Sequence, residues 1–367
     1  MSHSFLSLKK LFLGIVTGRK PSRHGSLILA EHLEKESENF LEPSVLSLYH
    51  EKMLNILLII LGMAMLIKAS DMMVDGVSAL ARQLKVSELI IAIAIAGFGT
   101  SAPELTVSLY AAISGYSNIA LGNVIGGNIF NLLGILGIIG LIVPITGGNI
   151  VARNNILFLL LASIMLIVLP NTGLFGKPGM LGRGDGMVFL TVFALFLFCI
   201  YKNMKTETVT EKHTGPAFPL WKSALFIVFG IAALLIGGNI VVSAAVSMVQ
   251  TWGVCDKLIA LTIIAFGTSL PELMVSAAAV LKKKNDIAVG NIIGTNIFNI
   301  LFILGLGSLV RPIAYAQEFN IDISVLIFGV LLLLWTMFVS RHKKLTRPVA
   351  IIFILLYIVY IIYILNR

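Results

Sequence analysis

The sequence predicts an all-α polytopic membrane protein, with ten transmembrane helices arranged as two inverted five-helix repeats. Its 367 residues are 57% hydrophobic and only 12% charged, with a mean hydropathy of +0.97, which excludes an ordinary soluble enzyme. Long apolar runs alternate with short polar gaps, and a helix needs about 20 apolar residues to cross a bilayer. The two halves of the chain also share an internal repeat.

Ten apolar segments follow a mostly polar N-terminal extension, residues 1–52. The apolar run at 11–16 is too brief for a span, and both a transit peptide and an interfacial helix are open for it. The ten segments are expected to be helices, because lipid offers backbone polar groups no other partner. They cover residues 53–83, 86–115, 118–144, 154–170, 187–201, 221–250, 254–281, 286–310, 323–340 and 348–365. The first repeat is 53–201, a short cytoplasmic loop is 202–220, and the second repeat is 221–367.

Basic residues indicate on which side of the membrane each loop lies. The loops after odd-numbered spans carry fourteen Lys or Arg residues, against five on the opposite side when the N-terminal extension is left out. This places the odd-numbered loops in the cytoplasm and both ends of the ten-span core outside. The net charge of +9 therefore indicates topology, and no nucleic-acid partner is expected. A cell membrane, inner or plasma, is the expected location, with an organelle membrane as the alternative.

The internal repeat is the main evidence about function. Residues 97–137 match residues 265–305 without gaps at an offset of 168, with 24 identities in 41 positions. Each half contains five spans, and this odd number makes the second copy cross the membrane in the opposite direction. Inverted repeats are typical of transporters that bind substrate near the bilayer midplane, between the repeats.

The first repeated motif contains a proline that should break its helix in mid-membrane. It reads GFGTSAPE at 97–104 and AFGTSLPE at 265–272. Pro103 and Pro271 have no N–H for the carbonyl four residues earlier, so oxygen lone pairs should be left free. Broken helices at this depth need a polar cavity. The motif therefore predicts a polar site within the membrane.

Hydroxyl and carboxyl side chains of this motif share one helical face. Glu104 lies three and four residues after Ser101 and Thr100, and the second copy keeps this spacing. Hard cations prefer such oxygen ligands, and an intramembrane carboxylate is costly enough to be functional by default. The candidate ligands are Thr100, Ser101 and Glu104 in the first copy and Thr268, Ser269 and Glu272 in the second.

The second repeated motif supplies asparagines and glycines. It reads GNVIGGNIFN at 122–131 and GNIIGTNIFN at 290–299. We interpret Asn131 and Asn299 as ligands, because an amide oxygen can bind a cation without adding charge. The glycines of the motif are interpreted as sites where helices approach closely. These glycines are Gly122, Gly126, Gly290 and Gly294.

The paired motifs closely resemble the alpha repeats of the cation/calcium antiporter superfamily, the sodium/calcium exchangers and their prokaryotic relatives. The resemblance covers both 41-residue blocks, the ten-span plan fits the remaining core, and only the N-terminal extension falls outside it. It implies a central group formed by the second, third, seventh and eighth spans, with one Ca²⁺ site flanked by Na⁺ sites. Ca²⁺ and Na⁺ would then be substrates carried across a lipid bilayer, and no resident cofactor is expected.

Residue by residue, the resemblance implies a defined ligand set. Glu104 and Glu272 correspond to the shared carboxylates, and Asn131 and Asn299 to the other central pair. The implied hydroxyl ligands are Thr100, Ser101, Thr268, Ser269 and Thr295. The implied backbone carbonyl ligands are those of Gly97 and Ala265.

The sequence departs from the family pattern at two positions. Gly127 stands where members often have Ser, whereas its repeat counterpart Thr295 keeps a hydroxyl, so the ligands of one Na⁺ site differ. Asn299 stands where several members, including potassium-dependent ones, have Asp, which favours potassium independence. The loop at 202–220 is too short for the large calcium-sensing domain of animal plasma-membrane exchangers.

Together these patterns favour exchange of Ca²⁺ for Na⁺ by alternating access, with the long first and sixth spans sliding against the central group. A Ca²⁺/H⁺ antiporter on the same fold is the nearest alternative. The hydroxyl-rich sites favour Na⁺, and all six histidines lie outside the spans. A passive cation channel fits the paired carboxylates less well, because they favour tight, stepwise binding. An intramembrane aspartyl protease is suggested only by GRGD at 182–185, which we interpret as a turn that caps the fifth helix.

Overall fold

The computed structural model confirms a helical, multi-pass membrane protein. It describes residues 43–146, 150–175, 177–206, 218–250, 265–340 and 344–367. In this part of the chain, eight helices are long and apolar enough to span a membrane, and a helix pair bent by 51° makes up to a ninth span. The predicted seventh span begins in residues 251–264, outside the described ranges. Leu57–Arg367 forms one compact unit, and of Met1–Ile56 the structure describes only the start of the first helix.

Helices follow the predicted spans along the chain, with short strands in some loops. The elements of the first half are α1 (Pro43–Leu84), α2 (Glu88–Ile91), α3 (Gly97–Thr100), α4 (Ala102–Ser114), α5 (Ser117–Ile129), α6 (Leu136–Ile142), β1 (Ile145–Thr146), α7 (Ile150–Thr172), β2 (Met180–Leu181) and α8 (Arg183–Thr206). Those of the second half are α9 (Leu220–Gln250), α10 (Ala265–Thr268), α11 (Leu270–Leu281), α12 (Asn285–Ile297), α13 (Gly305–Val310), β3 (Ile313–Ala314), α14 (Phe319–Leu334), β4 (Lys344–Leu345) and α15 (Arg347–Asn366). In the part of the chain that the structure describes, π-helical segments continue these helices at Ala92–Ala96, Phe130–Ile135, Phe298–Leu304 and Trp335–Val339.

The first helix begins earlier than the hydrophobicity pattern predicts. α1 starts at Pro43, inside the stretch expected to be a polar extension. Proline favours the first helical position, because its fixed φ suits a helix and its missing N–H is not needed there. The apolar run therefore predicts where the lipid-compatible part begins, but not where the helix begins.

Two small antiparallel sheets bring loops of the same parity together. β1 pairs with β4, with Ile145 opposite Leu345, and β2 pairs with β3, with Leu181 opposite Ile313. The first sheet joins the loops after the third and ninth spans, and the second joins the loops after the fourth and eighth. Odd-numbered loops thus meet odd-numbered ones, as two inverted five-span repeats require.

Glycines bring the central helices into backbone contact. A Cβ added at Gly290 of α12 would lie 2.8 Å from the Leu89 carbonyl oxygen of α2. A Cβ added at Gly294 would lie 2.7 Å from the Ile93 carbonyl oxygen, in the π segment that follows α2. Only a glycine allows this approach without a shift of the backbone. The predicted close contact is confirmed for these two residues. The repeat counterparts of those contacts for Gly122 and Gly126 fall within 251–264, outside the described residues.

Candidate ion-binding site

Two broken helices place the motif carboxylates at helix N-termini. The chain breaks at Ser101, between α3 and α4, and at Ser269, between α10 and α11. The motif prolines fall in the first turns of α4 and α11, as do Glu104 and Glu272. The predicted break at each proline motif is therefore confirmed. Free N–H groups at a helix start carry partial positive charge, which favours a carboxylate there.

The two carboxylates are buried, and each contacts hydroxyls of the opposite repeat. Glu104 is 1% exposed and Glu272 is 0% exposed, and their carboxylates interact electrostatically with each other. The hydroxyl of Ser269 donates to Glu104 Oε1 at 3.5 Å, and that of Thr268 also hydrogen-bonds Glu104. Thr100 lies beside Glu272. The inverted repeat thus brings residues 164 and more positions apart into one site.

Several buried oxygens in this region have no hydrogen-bond partner among the described residues. They are Glu104 Oε2, both carboxylate oxygens of Glu272, and the Oδ1 atoms of Asn131 and Asn299. Within the described ranges, none of the ion pairs involves either glutamate. A buried carboxylate without a counter-charge is strongly unfavourable. Two carboxylates with neutral amide and hydroxyl oxygens suit a hard cation such as Ca²⁺.

Hydroxyl groups around the break in the first helix donate to backbone carbonyls. Ser101 Oγ donates to Gly97 O at 2.7 Å, and Thr295 Oγ1 donates to the same oxygen at 2.9 Å. Thr100 Oγ1 donates to Ala96 O at 2.9 Å. A hydroxyl that donates its hydrogen bond to a carbonyl still has oxygen lone pairs that can bind a cation. The Gly97 carbonyl, which the family resemblance implies as a ligand, accepts the hydroxyl protons of both Ser101 and Thr295, and its role as a ligand stays a prediction.

The remaining predicted ligand lies at the edge of the described chain. Ala265 is the first residue of α10, and the residues before it, 251–264, are outside the described ranges. Its role as a carbonyl ligand therefore stays a prediction.

Four asparagines join the two central spans where they meet. Asn128 and Asn296 donate to each other's backbone carbonyl, at 3.0 and 3.2 Å. Asn131 Nδ2 donates to Asn296 Oδ1 at 3.2 Å, and Asn299 Nδ2 donates to Asn128 Oδ1 at 3.0 Å. The sequence analysis did not place Asn128 and Asn296 in the site. Their recurrence at the 168-residue offset is the signal that could have found them.

Two further asparagines hold the broken helices to their neighbours. Asn123 Nδ2 donates to Ser108 Oγ at 2.8 Å and to the Glu104 carbonyl at 3.4 Å. Its repeat counterpart Asn291 makes the same bonds to the second copy, at 3.1 and 3.3 Å. These contacts fix α4 against α5 and α11 against α12, and thereby fix the glutamates. The sequence analysis left this asparagine pair out of the site as well.

The GRGD element forms a helix start, as the sequence analysis favoured. Asp185 is buried in the first turn of α8, and its Oδ2 accepts the backbone N–H of Gly182 at 2.8 Å. This is the reciprocal half of a capping box, in which a third-position acid bonds back to the cap residue. The element therefore has a structural role that does not depend on catalysis.

Comparison with known proteins identifies the family. The family described as "Sodium/calcium exchanger protein" matches residues 54–202 and 222–366. The putative antiporter CaxA of Alkalimonas amylolytica is 35% identical over 309 residues, which cover 82% of this chain and 95% of that protein. The sodium/calcium exchanger MaX1 of Methanosarcina acetivorans is 28% identical over 338 residues, 83% of this chain and 96% of that protein.

A solved structure has the same fold. The sodium-calcium exchanger NCX_Mj, soaked with Na⁺ and Sr²⁺, superposes with a TM-score of 0.73 at 32% identity, covering 84% of this chain and 98% of that one. The matched family segments also coincide with the two halves that carry the inverted repeat. The chain therefore belongs to the sodium/calcium exchanger family and is a multi-pass membrane antiporter, not an enzyme.

Proposed function

We propose that this protein exchanges Ca²⁺ for Na⁺ across a cell membrane by alternating access. The observation that carries the proposal is the group of buried oxygens on Glu104, Glu272, Asn131 and Asn299 that have no hydrogen-bond partner in the described part of the chain. Relatives named as a sodium/calcium exchanger and a putative antiporter support it. A relative in Escherichia coli named as an inner membrane protein supports the location.

The charges of the site explain why the two ions would compete. Glu104 and Glu272 together carry two negative charges, which one Ca²⁺ or a set of Na⁺ ions can neutralise. An uncompensated pair of buried carboxylates is unfavourable, so the empty site rarely changes sides. This restriction is what couples the inward movement of one ion to the outward movement of the other.

The proposed ligands fall into three groups around the two carboxylates. Amide oxygens come from Asn131 and Asn299. Hydroxyl oxygens come from Thr100, Ser101, Thr268, Ser269 and Thr295, and they suit Na⁺ because they add no charge. Backbone oxygens of Gly97 and Ala265 complete the set as predicted ligands.

The two longest helices are suited to move as a pair. A Cβ added at Gly62 of α1 would lie 3.1 Å from the carbonyl oxygen of Gly237 in α9, so these helices pack backbone to backbone. On the other side of α9, Ile231 and Val242 lie against α3 and α10, the helices before the two breaks. Sliding of α1 and α9 over the broken helices would expose the site to each side in turn.

The test is uptake of ⁴⁵Ca²⁺ into proteoliposomes that contain the purified full-length protein. Vesicles preloaded with Na⁺ are compared with vesicles given only a pH gradient and with vesicles given no gradient. We expect uptake only when an outward Na⁺ gradient is present. Uptake driven by pH alone would overturn Na⁺ coupling and establish a Ca²⁺/H⁺ antiporter. Flux that needs no counter-ion would overturn exchange altogether.

A further inference from the structure

Two asparagines outside the proposed ligand set, Asn128 and Asn296, accept hydrogen bonds from the two asparagines inside it. Asn128, Asn131, Asn296 and Asn299 are all 0% exposed. The first two lie at the junction of α5 with its π segment, and the last two lie at the equivalent junction after α12. π-Helical turns inside α-helices occur frequently at functional sites.

A backbone carbonyl fixes the direction of each hydrogen-bond chain. The carbonyl oxygen of Asn296 can only accept, so the Asn128 amide must present its NH₂ group there. Asn128 Oδ1 then lies at the opposite end of that amide and accepts from Asn299 Nδ2. The Oδ1 atom of Asn299 is consequently turned away from Asn128, and it is buried with no hydrogen-bond partner among the residues that the structure describes.

The second chain repeats this arrangement with the two halves exchanged. The carbonyl of Asn128 fixes the amide of Asn296, whose Oδ1 accepts from Asn131 Nδ2. Asn131 Oδ1 is thereby left buried and, within the described ranges, without a hydrogen-bond partner as well. The π segment that carries Asn131 packs against α11, which bears Glu272, and its counterpart packs against α4.

Orientation matters because an amide has two nearly isosteric ends. Rotation by 180° would replace the oxygen with an NH₂ group, which donates hydrogen bonds and repels a cation. We infer that Asn128 is the positioning residue for Asn299, and that Asn296 is the positioning residue for Asn131, each holding the ligand oxygen toward the ion. This inference rests on the proposed ion site, and it assigns each half of the molecule the control of a ligand in the other half.

Equilibrium binding of ⁴⁵Ca²⁺ to the purified full-length protein in detergent tests the inference without any gradient. Asn128→Leu keeps the side-chain size but cannot hold Asn299, so we expect binding about tenfold weaker. In an Asn299→Ala background, where there is no amide left to orient, Asn128→Leu should weaken binding by less than about twofold. In an Asn131→Ala background its effect should again be about tenfold.

The mirror-image variant provides the matched control. Asn296→Leu should leave Ca²⁺ binding nearly unchanged in the Asn131→Ala background and should weaken it in the Asn299→Ala background. General damage to the fold would weaken binding equally in both backgrounds, and that result would overturn the inference. Asn128→Ala and Asn296→Ala repeat the comparison with a smaller change if either leucine variant does not give a monodisperse protein.

The reference protein separates this inference from the proposed function. The positioning role alone would be overturned if wild-type protein binds Ca²⁺ but each leucine substitution weakens Ca²⁺ binding by the same factor in both alanine backgrounds. Wild-type protein that does not bind Ca²⁺ would overturn the proposed function, and the positioning role would fall with it.

Discussion

Among the described residues, the two glutamates of the site form no ion pair, whereas five other acids do. Glu88, Glu318, Asp71, Asp75 and Asp322 each lie within 4.0 Å of a lysine or arginine nitrogen. Glu104 and Glu272 instead meet hydroxyl groups and each other. Their negative charge therefore has no protein counter-charge in the described residues, and it is available to a mobile cation.

Removal of that charge should abolish Ca²⁺ exchange and leave the fold intact. In Glu104→Gln or Glu272→Gln the side-chain shape is kept, and the cost of burying a charge disappears. We expect no measurable gradient-driven ⁴⁵Ca²⁺ uptake, with a thermal unfolding temperature at or above that of wild type. Glu88→Gln, which changes a carboxylate paired with Lys284, is the matched control and should retain uptake. Substantial uptake by either site variant would contradict the assignment.

Gly127 is where the two halves of the site differ chemically. Its counterpart Thr295 donates to the Gly97 carbonyl, and among the described residues the atom nearest a Cβ added at Gly127 is Ser269 Oγ, at 3.9 Å. Gly127→Ser should therefore fit, and its hydroxyl should face the Ala265 carbonyl. We expect the Na⁺ concentration for half-maximal exchange to fall several-fold.

The reciprocal change at the repeat-equivalent position controls for the Gly127→Ser variant. Thr295→Val keeps the shape of the side chain and removes its hydroxyl, so the half-maximal Na⁺ concentration should rise. The half-maximal Na⁺ concentration of each variant is obtained from Ca²⁺ uptake measured over a series of internal Na⁺ concentrations. A Gly127→Ser protein with unchanged Na⁺ dependence would show that this position does not contribute to Na⁺ binding.

Sequence reasoning located the carboxylates because a charged residue within a span is rare enough to stand out. It did not locate the hydrogen bonds of Asn128 and Asn296, because these join residues 165 to 171 positions apart. Partner choice at that separation depends on how two helices cross, which a motif does not specify. The bond from Thr295 to the Gly97 carbonyl, across 198 positions, was hidden for the same reason.

At the scale of helices, the sequence predicts the breaks at the motif prolines but not the π-helical segments. Both motif prolines begin a new helix where a break was predicted. The π segments that follow α5 and α12 have no comparable sequence signal, because any apolar residue can occupy them. The short strands are equally hidden, since two residues give no alternating pattern.

The contact of α12 with the facing broken helix should tolerate no added side-chain volume. In Gly294→Ala the new Cβ would lie 2.7 Å from the Ile93 carbonyl oxygen and 2.9 Å from its Cα. Backbone atoms cannot give way as a flexible side chain can, so we expect a loss of about 1–3 kcal/mol in the free energy of unfolding. Thermal unfolding in detergent measures it.

Gly307→Ala is the control for the Gly294→Ala variant. Gly307 is also a buried helical glycine, but its added Cβ would meet the nearest atoms at 3.4 Å. We expect a change within about 0.5 kcal/mol, as is usual for a substitution without a steric conflict. Equal losses in the two variants would argue against a backbone contact at Gly294.

An ion-pair cluster joins α1 to the end of α11. Lys282 Nζ lies 2.8 Å from Asp75 Oδ1 and 3.2 Å from Asp71 Oδ1, and all three side chains are partly exposed. Exposed pairs contribute about 0–1 kcal/mol, so Lys282→Gln should lower stability by no more than that, and 1 M salt should remove the difference. Lys283→Gln, at the neighbouring exposed lysine, changes the charge equally and should have no effect. A salt-independent loss in Lys282→Gln would point to packing instead.

For the whole molecule, the sheets and the ion pairs agree on which loops share a side. β1 with β4 and β2 with β3 follow the parity of the loops, and Lys284 pairs with Glu88 across the loops after the first and seventh spans. The excess of Lys and Arg in the odd-numbered loops then predicts that those loops face the cytoplasm. In the described residues, helices lie at the predicted spans, the first of them beginning earlier than predicted, and part of the seventh predicted span falls in 251–264, outside the described ranges.

Sidedness can be read from single cysteines in a chain whose own Cys199 and Cys255 are replaced. Lys283 lies in an odd-numbered loop and Lys177 in an even-numbered one, and both are exposed. A membrane-impermeant thiol reagent should label Lys177→Cys in intact cells and Lys283→Cys only after permeabilisation. The opposite pattern would invert the topology while leaving the fold unchanged.

The small sheets also constrain the biosynthesis of the protein. Each sheet takes one strand from the first half and one from the second, so β1 and β2 leave the ribosome long before their partners exist. The first five spans can enter the bilayer in order. However, β1, β2 and the side-chain amides of the third span find their partners only when the second half of the chain has been made. The first five spans alone would therefore leave both strands and these amides without the partners that they have in the full chain.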